Sequence, residues 1–96
     1  MSLAGAKLDY PFGENTAVYK VKDKMFALVT EHKTPVQISL KCDPTLAEHL
    51  REKYESVMPG YHLNKKHWNT IVLSGQLSWD EIKDLIRHSY DLVAKT

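Results

Sequence analysis

The sequence predicts an α+β fold: an antiparallel sheet of about four strands, in the order βββ-α-β-α, with the helices on one face. Three observations carry that expectation. Hydrophobicity alternates with a period of two through three successive segments between Thr16 and Lys41. An Asp43-Pro44 pair then opens a stretch of helical spacing, aspartate being a good N-cap and proline fitting the first helical position. Finally, Ser78 with Glu81 three residues later forms a capping box in front of a longer helical stripe.

Met1 to Ala6 is too short and featureless to form an element, so residues 1–9 read as a disordered start or an expression remnant, and 10–96 as one domain. Pro11 to Asn15 reads as a turn, with proline fixing φ and Gly13 supplying positive φ. Strands are expected at Thr16–Val21 and Lys24–Glu31, joined by a tight Lys22-Asp23 turn that lacks the usual glycine. Pro35–Lys41 is the third strand. Val36, Ile38 and Leu40 share one face, and Gln37, Ser39 and Lys41 the other. Short links between the three favour a meander. The first helix is expected to run to about Tyr54, with Leu46, Ala47, Leu50 and Tyr54 on its apolar stripe. Met58-Pro59-Gly60 stops it, and residues 61–66 form a loop. Trp68–Leu73 is the fourth strand. Trp79, Ile82, Leu85, Ile86, Tyr90 and Val93 then mark the final helix, through to Lys95.

Composition narrows the function classes. At 96 residues, with 43% hydrophobic and 26% charged residues, the chain has room for one modest core and is neither disordered nor fibrous. A net charge of +1 excludes a histone-like polycation. The single cysteine, Cys42, excludes an intramolecular disulfide or a Cys-rich zinc module and fits a reducing, cytoplasmic setting. No stretch approaches the roughly 18 apolar residues of a membrane helix. The charge is unevenly placed. Residues 16–41 carry five lysines against two acids, a net +3, and residues 61–77 add Lys65 and Lys66 with no acid, leaving −4 on the rest. Such a distribution turns the strands and the 61–67 loop toward phosphate, although lysines also serve simply to keep sheet edges soluble.

The densest polar segment is Pro59 to Thr70, PGYHLNKKHWNT. Its lysines suit phosphates, its asparagines suit adenine edges, and Tyr61 or Trp68 could stack on an unpaired base. The same residues have structural readings, with Trp68 in the core and Asn64 as a turn residue. His62 and His67 lack metal-ligand spacing. Cys42 precedes a helix N-terminus, which can activate a thiol, but no His with Asn or Asp signature accompanies it, so a buried inert thiol is expected. Asp9, Glu14, Asp43, Asp80 and Glu81 make no acid–base pair, and there is neither a G-x-S-x-G elbow nor a glycine-rich phosphate cradle. No catalytic constellation is recognisable, and no cofactor or metal is expected.

Pro11-Phe12-Gly13-Glu14, Lys24-Met25-Phe26-Ala27, Ser39 to Pro44, the Pro59–Thr70 segment and Ser89-Tyr90-Asp91-Leu92-Val93 together resemble the MmcQ/YjbR family of small bacterial proteins, from Tyr10 to Val93 in consistent order. The resemblance implies a CyaY-like α+β fold, and membership of a group predicted to bind DNA through a double-wing motif. It maps the family's shared polar motif onto Lys24, Lys41, Asp43, His62, Asn64, Lys65, His67, Trp68 and Asn69. Relatives normally carry a helix before the Pro-Phe-Gly-Glu turn. Here only a few residues precede that turn, and an uncovered apolar sheet face would promote self-association.

Two functions therefore compete. The first is a DNA-binding module in which Lys24, Lys41, His62, Asn64, Lys65, Lys66, His67 and Asn69 make the contacts. The second is a small-molecule or protein-binding domain with Tyr61, His62, Lys41 and Trp68 around a polar pocket beside Cys42. In either case the expectation is a monomer or weak dimer that engages no membrane.

Overall fold

The computed structural model describes residues 3–11, 13, 15–31, 34–60 and 63–95. They form a six-stranded antiparallel sheet backed by two helices. The strands are β1 (Lys7–Asp9), β2 (Thr16–Val21), β3 (Lys24–Thr30), β4 (Gln37–Lys41), β5 (Val57–Pro59) and β6 (Trp68–Val72), in spatial order β1-β2-β3-β4-β6-β5. The helices are α1 (Pro44–Lys53) and α2 (Trp79–Ala94). The α+β class and the β2–β3–β4 meander agree with the sequence reading. The strand count does not, because two three-residue edge strands join the four expected ones.

The first correction is β1. Lys7–Asp9, expected to lie outside the fold, pairs with β2 in the register Lys7↔Lys20, Leu8↔Tyr19 and Asp9↔Val18. All three of its residues are exposed, so it has no burial signature to read. The second is β5. Val57–Pro59 lies antiparallel to β6 at the opposite edge, and its proline is tolerated because an edge strand need not donate on its outer side. The stop signal at Met58-Pro59-Gly60 thus ends no helix. That ending belongs to Tyr54, which is extended.

Helix boundaries follow their caps. The Asp43 carboxylate accepts from the Thr45 and Leu46 N–H groups, at 3.1 and 3.2 Å. At α2 the capping box is complete: Ser78 Oγ accepts the Glu81 N–H while the Glu81 carboxylate accepts the Ser78 N–H. The Lys22-Asp23 turn works without glycine because both residues adopt left-handed φ, +52° and +63°, as a two-residue hairpin loop twisted to match its strands requires.

The core lies between the sheet and the helices. Ala27, Ile38, Leu40, Val57 and Ile71 from the sheet meet Ala47 and Leu50 of α1 and Ile82 and Val93 of α2. One irregularity governs how α2 sits. Tyr19 pairs with Ala27 but Lys20 pairs with Met25, so Phe26 is an extra residue, a bulge, on β3. The bulge takes the Phe26 carbonyl and the facing Lys41 N–H out of the sheet ladder. Ser89 of α2, wholly buried, satisfies both: its hydroxyl accepts from Lys41 N–H at 2.9 Å and donates to the Phe26 carbonyl. The Phe26 ring meets Tyr90 edge-on, with centroids 5.5 Å apart.

Two expected outcomes follow from these contacts. Replacing Ser89 by Ala leaves a buried donor and a buried acceptor unpaired and lowers stability by about 2–4 kcal/mol, read from urea unfolding. A second concerns pH. Tyr54 Oη donates to the Glu81 carboxylate at 2.6 Å, and this bond, with those from Ser78, holds the Glu81 carboxyl below its ordinary value of 4.5. A carboxyl depressed in the folded state stabilises above its unfolded pKa, and that contribution is lost as pH falls through the lower folded value. The melting-temperature gap between the wild type and Tyr54→Phe should therefore be constant from pH 7 to 5 and narrow as pH drops toward 3.

Candidate functional site

The strand registers decide which polar residues meet. Lys7 opposite Lys20, Lys24 opposite Val21, and Lys41 opposite Trp68 all lie at one end of the sheet, the end of the β2–β3 hairpin. Lys22 is in that hairpin. The 63–67 loop enters β6 at the same end, joined to β4 by the Cys42 N–H donating to the His67 carbonyl at 2.7 Å. Of the residues singled out in the sequence, Lys24, Lys41, Asn64, Lys65, Lys66 and His67 are thus brought together. Lys7, Lys20 and Lys22 extend the set, with Asp23 and Asp43 as the acids nearest the sequence positions involved. His62, like Tyr61, lies outside the described residues. From β1 to β6 the end spans four interstrand gaps, about 19 Å.

The loop is built to be held. Asn64 makes an Asx-type turn, its Oδ1 accepting the Lys66 N–H at 3.0 Å while its carbonyl accepts from His67 and Trp68 N–H. Arg51 reaches from α1 and donates through Nη2 to the Lys65 carbonyl. Lys65 and Lys66 are left exposed, and His67 is half-buried. The loop's near side is closed by Gly60, whose N–H donates to the Trp68 carbonyl at 2.9 Å. A Cβ at Gly60 would stand 2.7 Å from the Trp68 Cβ, so no other residue permits that approach.

One residue expected at a surface is interior. Asn69, offered as a base-contacting amide, is 2% exposed, and both ends of its amide are engaged. Its Oδ1 accepts from Arg51 Nε at 2.6 Å, and its Nδ2 donates to the Ala47 carbonyl at 3.3 Å. It faces α1 because Asn69 pairs with Leu40, a core-facing position. Trp68, 8% exposed, takes its core reading and offers no face for stacking. The available signal was alternation, since Asn69 lies two residues before Ile71 and so shares its side of the strand.

Two of the four residues of the expected polar pocket, Tyr61 and His62, lie outside the described residues. The cavity beside Lys41, Cys42 and Asn69 measures about 10 Å³, room for at most one water. An apolar concavity of about 550 Å³ lies on the helix side of β1–β3, lined by Leu8, Tyr19 and Val29 of the sheet and by Trp79, Ile82 and Ile86 of α2. Among the described residues there is no group of three or more His, Cys, Asp or Glu side chains that could hold a metal, and no helix is long and apolar enough to cross a membrane.

Cys42 is buried and free. Burial, and secondarily the adjacent Asp43 carboxylate, push its thiol up to about 11. The helix N-terminus that could have activated it is occupied by the Asp43 cap. At pH 8 a thiol-specific disulfide reagent should therefore label native protein at least a hundredfold more slowly than protein unfolded in guanidinium.

Comparison with known proteins adds the chain's relationships. The YjbR family model matches residues 1–92. The chain is 37% identical over 93 residues to the uncharacterised protein YbdF of Escherichia coli O157:H7, covering 97% of this chain and 76% of that protein. It is 45% identical over 71 residues to the uncharacterised YjbR of Escherichia coli K12, covering 74% of this chain and 60% of that one. A crystal structure of a Deinococcus radiodurans protein with a DUF419 domain superposes with a TM-score of 0.94 at 41% identity, over 98% of this chain and 72% of that chain. A Pseudomonas syringae crystal structure superposes at 0.80 with 32% identity, over 94% and 88%.

Proposed function

Because the chain belongs to the YjbR family, whose members matched here carry no assigned activity, we propose a function from this chain's own geometry: it binds nucleic acid through the lysine-rich end of its sheet. One observation supports this reading above the others. Antiparallel register collects Lys7, Lys20, Lys22, Lys24 and Lys41 from four strands and a hairpin beside Lys65 and Lys66 of a pinned loop, in a chain whose net charge is only +1. At about 19 Å this end matches five to six phosphate steps along one strand. The contacts it offers are cationic and directed at backbone, which gives affinity without base reading. Asn64 and His67 are the loop's remaining candidates for sugar or base edges, while Asn69 serves the interior. The acidic first turn of α2, Asp80 and Glu81, lies away on the helix side.

Polyanion binding of this kind falls steeply with salt. Four or five phosphate contacts give a slope of log K against log salt of about −3 to −4.5. The Lys65→Ala/Lys66→Ala variant should weaken binding to a short DNA duplex or single strand at least tenfold in low salt, reduce that slope by one to two, and leave the melting temperature within a few degrees. Amide shifts on titration with the same oligonucleotides should cluster at 20–24, 41 and 63–67 and fade with salt. No shifts at low salt, or affinity unchanged in the double variant, would remove the nucleic-acid reading.

A further inference from the structure

The β1 edge carries two charged side chains, Lys7 and Asp9, for which no ion pair is found among the described residues, the Asp9 carboxylate accepting the Tyr10 N–H at 2.8 Å. On the outer face of the sheet, Lys7 stands directly opposite Lys20, a like-charge pair that costs stability, and Asp9 stands opposite Val18. On the helix side Leu8 is 52% exposed at the rim of the apolar concavity, with Trp79, 61% exposed, on its far wall. All three residues of β1 are exposed, and among the described residues its outer edge has no neighbour in the sheet. Its shortness and its lysine disfavour indiscriminate pairing, so the strand that this edge accepts has to complement its charges.

We propose that the strand it takes is β1 of a second copy, paired antiparallel about a two-fold axis through Leu8. The sequence Lys7-Leu8-Asp9 is its own complement in that arrangement. Lys7 falls opposite the partner's Asp9, and Asp9 opposite the partner's Lys7. Leu8 meets the partner's Leu8 on the helix side. One operation thus completes the edge hydrogen bonds, places a carboxylate beside the Lys7–Lys20 pair, and shields Leu8, as an isologous interface should. The alternative parallel pairing would align lysine with lysine and aspartate with aspartate. The two apolar concavities then lie side by side on one face of a continuous twelve-stranded sheet. Since the paired strands are only three residues long, the interface belongs to the small class of concentration-dependent contacts. The proposal stands independently of nucleic-acid binding.

The test is sedimentation equilibrium of the 96-residue chain from about 10 to 500 μM, with circular dichroism to confirm that each variant is folded. The wild type should rise from 11.0 kDa toward twice that mass. Lys7→Asp alone puts two aspartates opposite two, and Asp9→Lys alone puts lysine opposite lysine, so each should weaken association at least tenfold. Mixing the two variants restores opposite charges at both positions and should restore the dimer as a heterodimer. The double exchange Lys7→Asp/Asp9→Lys should dimerise by itself. A wild type that stays monomeric throughout would overturn the proposal and leave the concavity to an apolar segment of another partner. Association that survives in both single variants would overturn it too, placing the contact elsewhere. So would single variants whose mixture fails to recover.

Discussion

Arg51 ties three parts of the molecule with one guanidinium. Its Nε meets the buried Asn69 amide on β6, its Nη2 meets the Lys65 carbonyl in the loop, and its backbone belongs to α1, whose Ala47 carbonyl accepts from the same amide. A buried amide without these partners would cost a few kcal/mol, so the contact is obligatory once Asn69 occupies a core-facing position. The loop at the lysine-rich end depends on it. The helix is held against the sheet edge, and the loop that carries Lys65 and Lys66 has its backbone fixed while those two side chains stay exposed. A cation spent internally thus organises the cations that face solvent.

The sheet is covered unequally. α2 packs over β3 and β4 and α1 over β5 and β6, so the β4–β6 half has a full core while the helix side of β1–β3 presents the apolar concavity. Residues 3–6 close one end of it. Leu3 and Ala6 pack at its margin, and Tyr90 Oη donates to the Ala4 carbonyl. The other face of the sheet is more polar. There the Ser39 and Thr70 hydroxyls share a 2.8 Å hydrogen bond between neighbouring strands. The two faces therefore suit different partners: one apolar and concave, the other cationic at its end.

The sequence displays some of this plainly and hides the rest for identifiable reasons. Alternation over Thr16–Lys41 and the Asp43 and Ser78 caps are local signals, and both helices begin where those caps place them. β1 and β5 are three residues each, too short for a period to show, and exist only because a neighbour offers an edge. The bulge at Phe26 is equally silent, since an extra residue in an apolar run alters no composition. The polar Pro59–Thr70 segment was readable as a cluster but not as two populations. Lys65 and Lys66 face outward, while Asn69 is turned inward by a register that only the pairing with β4 sets. Lys7 and Lys20 lie thirteen positions apart and become neighbours only through that same kind of long-range pairing.

Ser89 has a consequence for how singular this fold is. The apolar stripe of α2 repeats every three or four residues, so dispersion and water exclusion alone would tolerate the helix shifted along its axis by one turn with little loss. The hydroxyl does not tolerate it. A shift of about 5.4 Å would strand the Phe26 carbonyl and the Lys41 N–H under aliphatic side chains. One buried oxygen thus selects a single docking position from several that would pack comparably. It does so where the sheet leaves backbone groups to be claimed from the helix side by a side chain, so the irregularity in β3 acts as the address at which α2 is delivered.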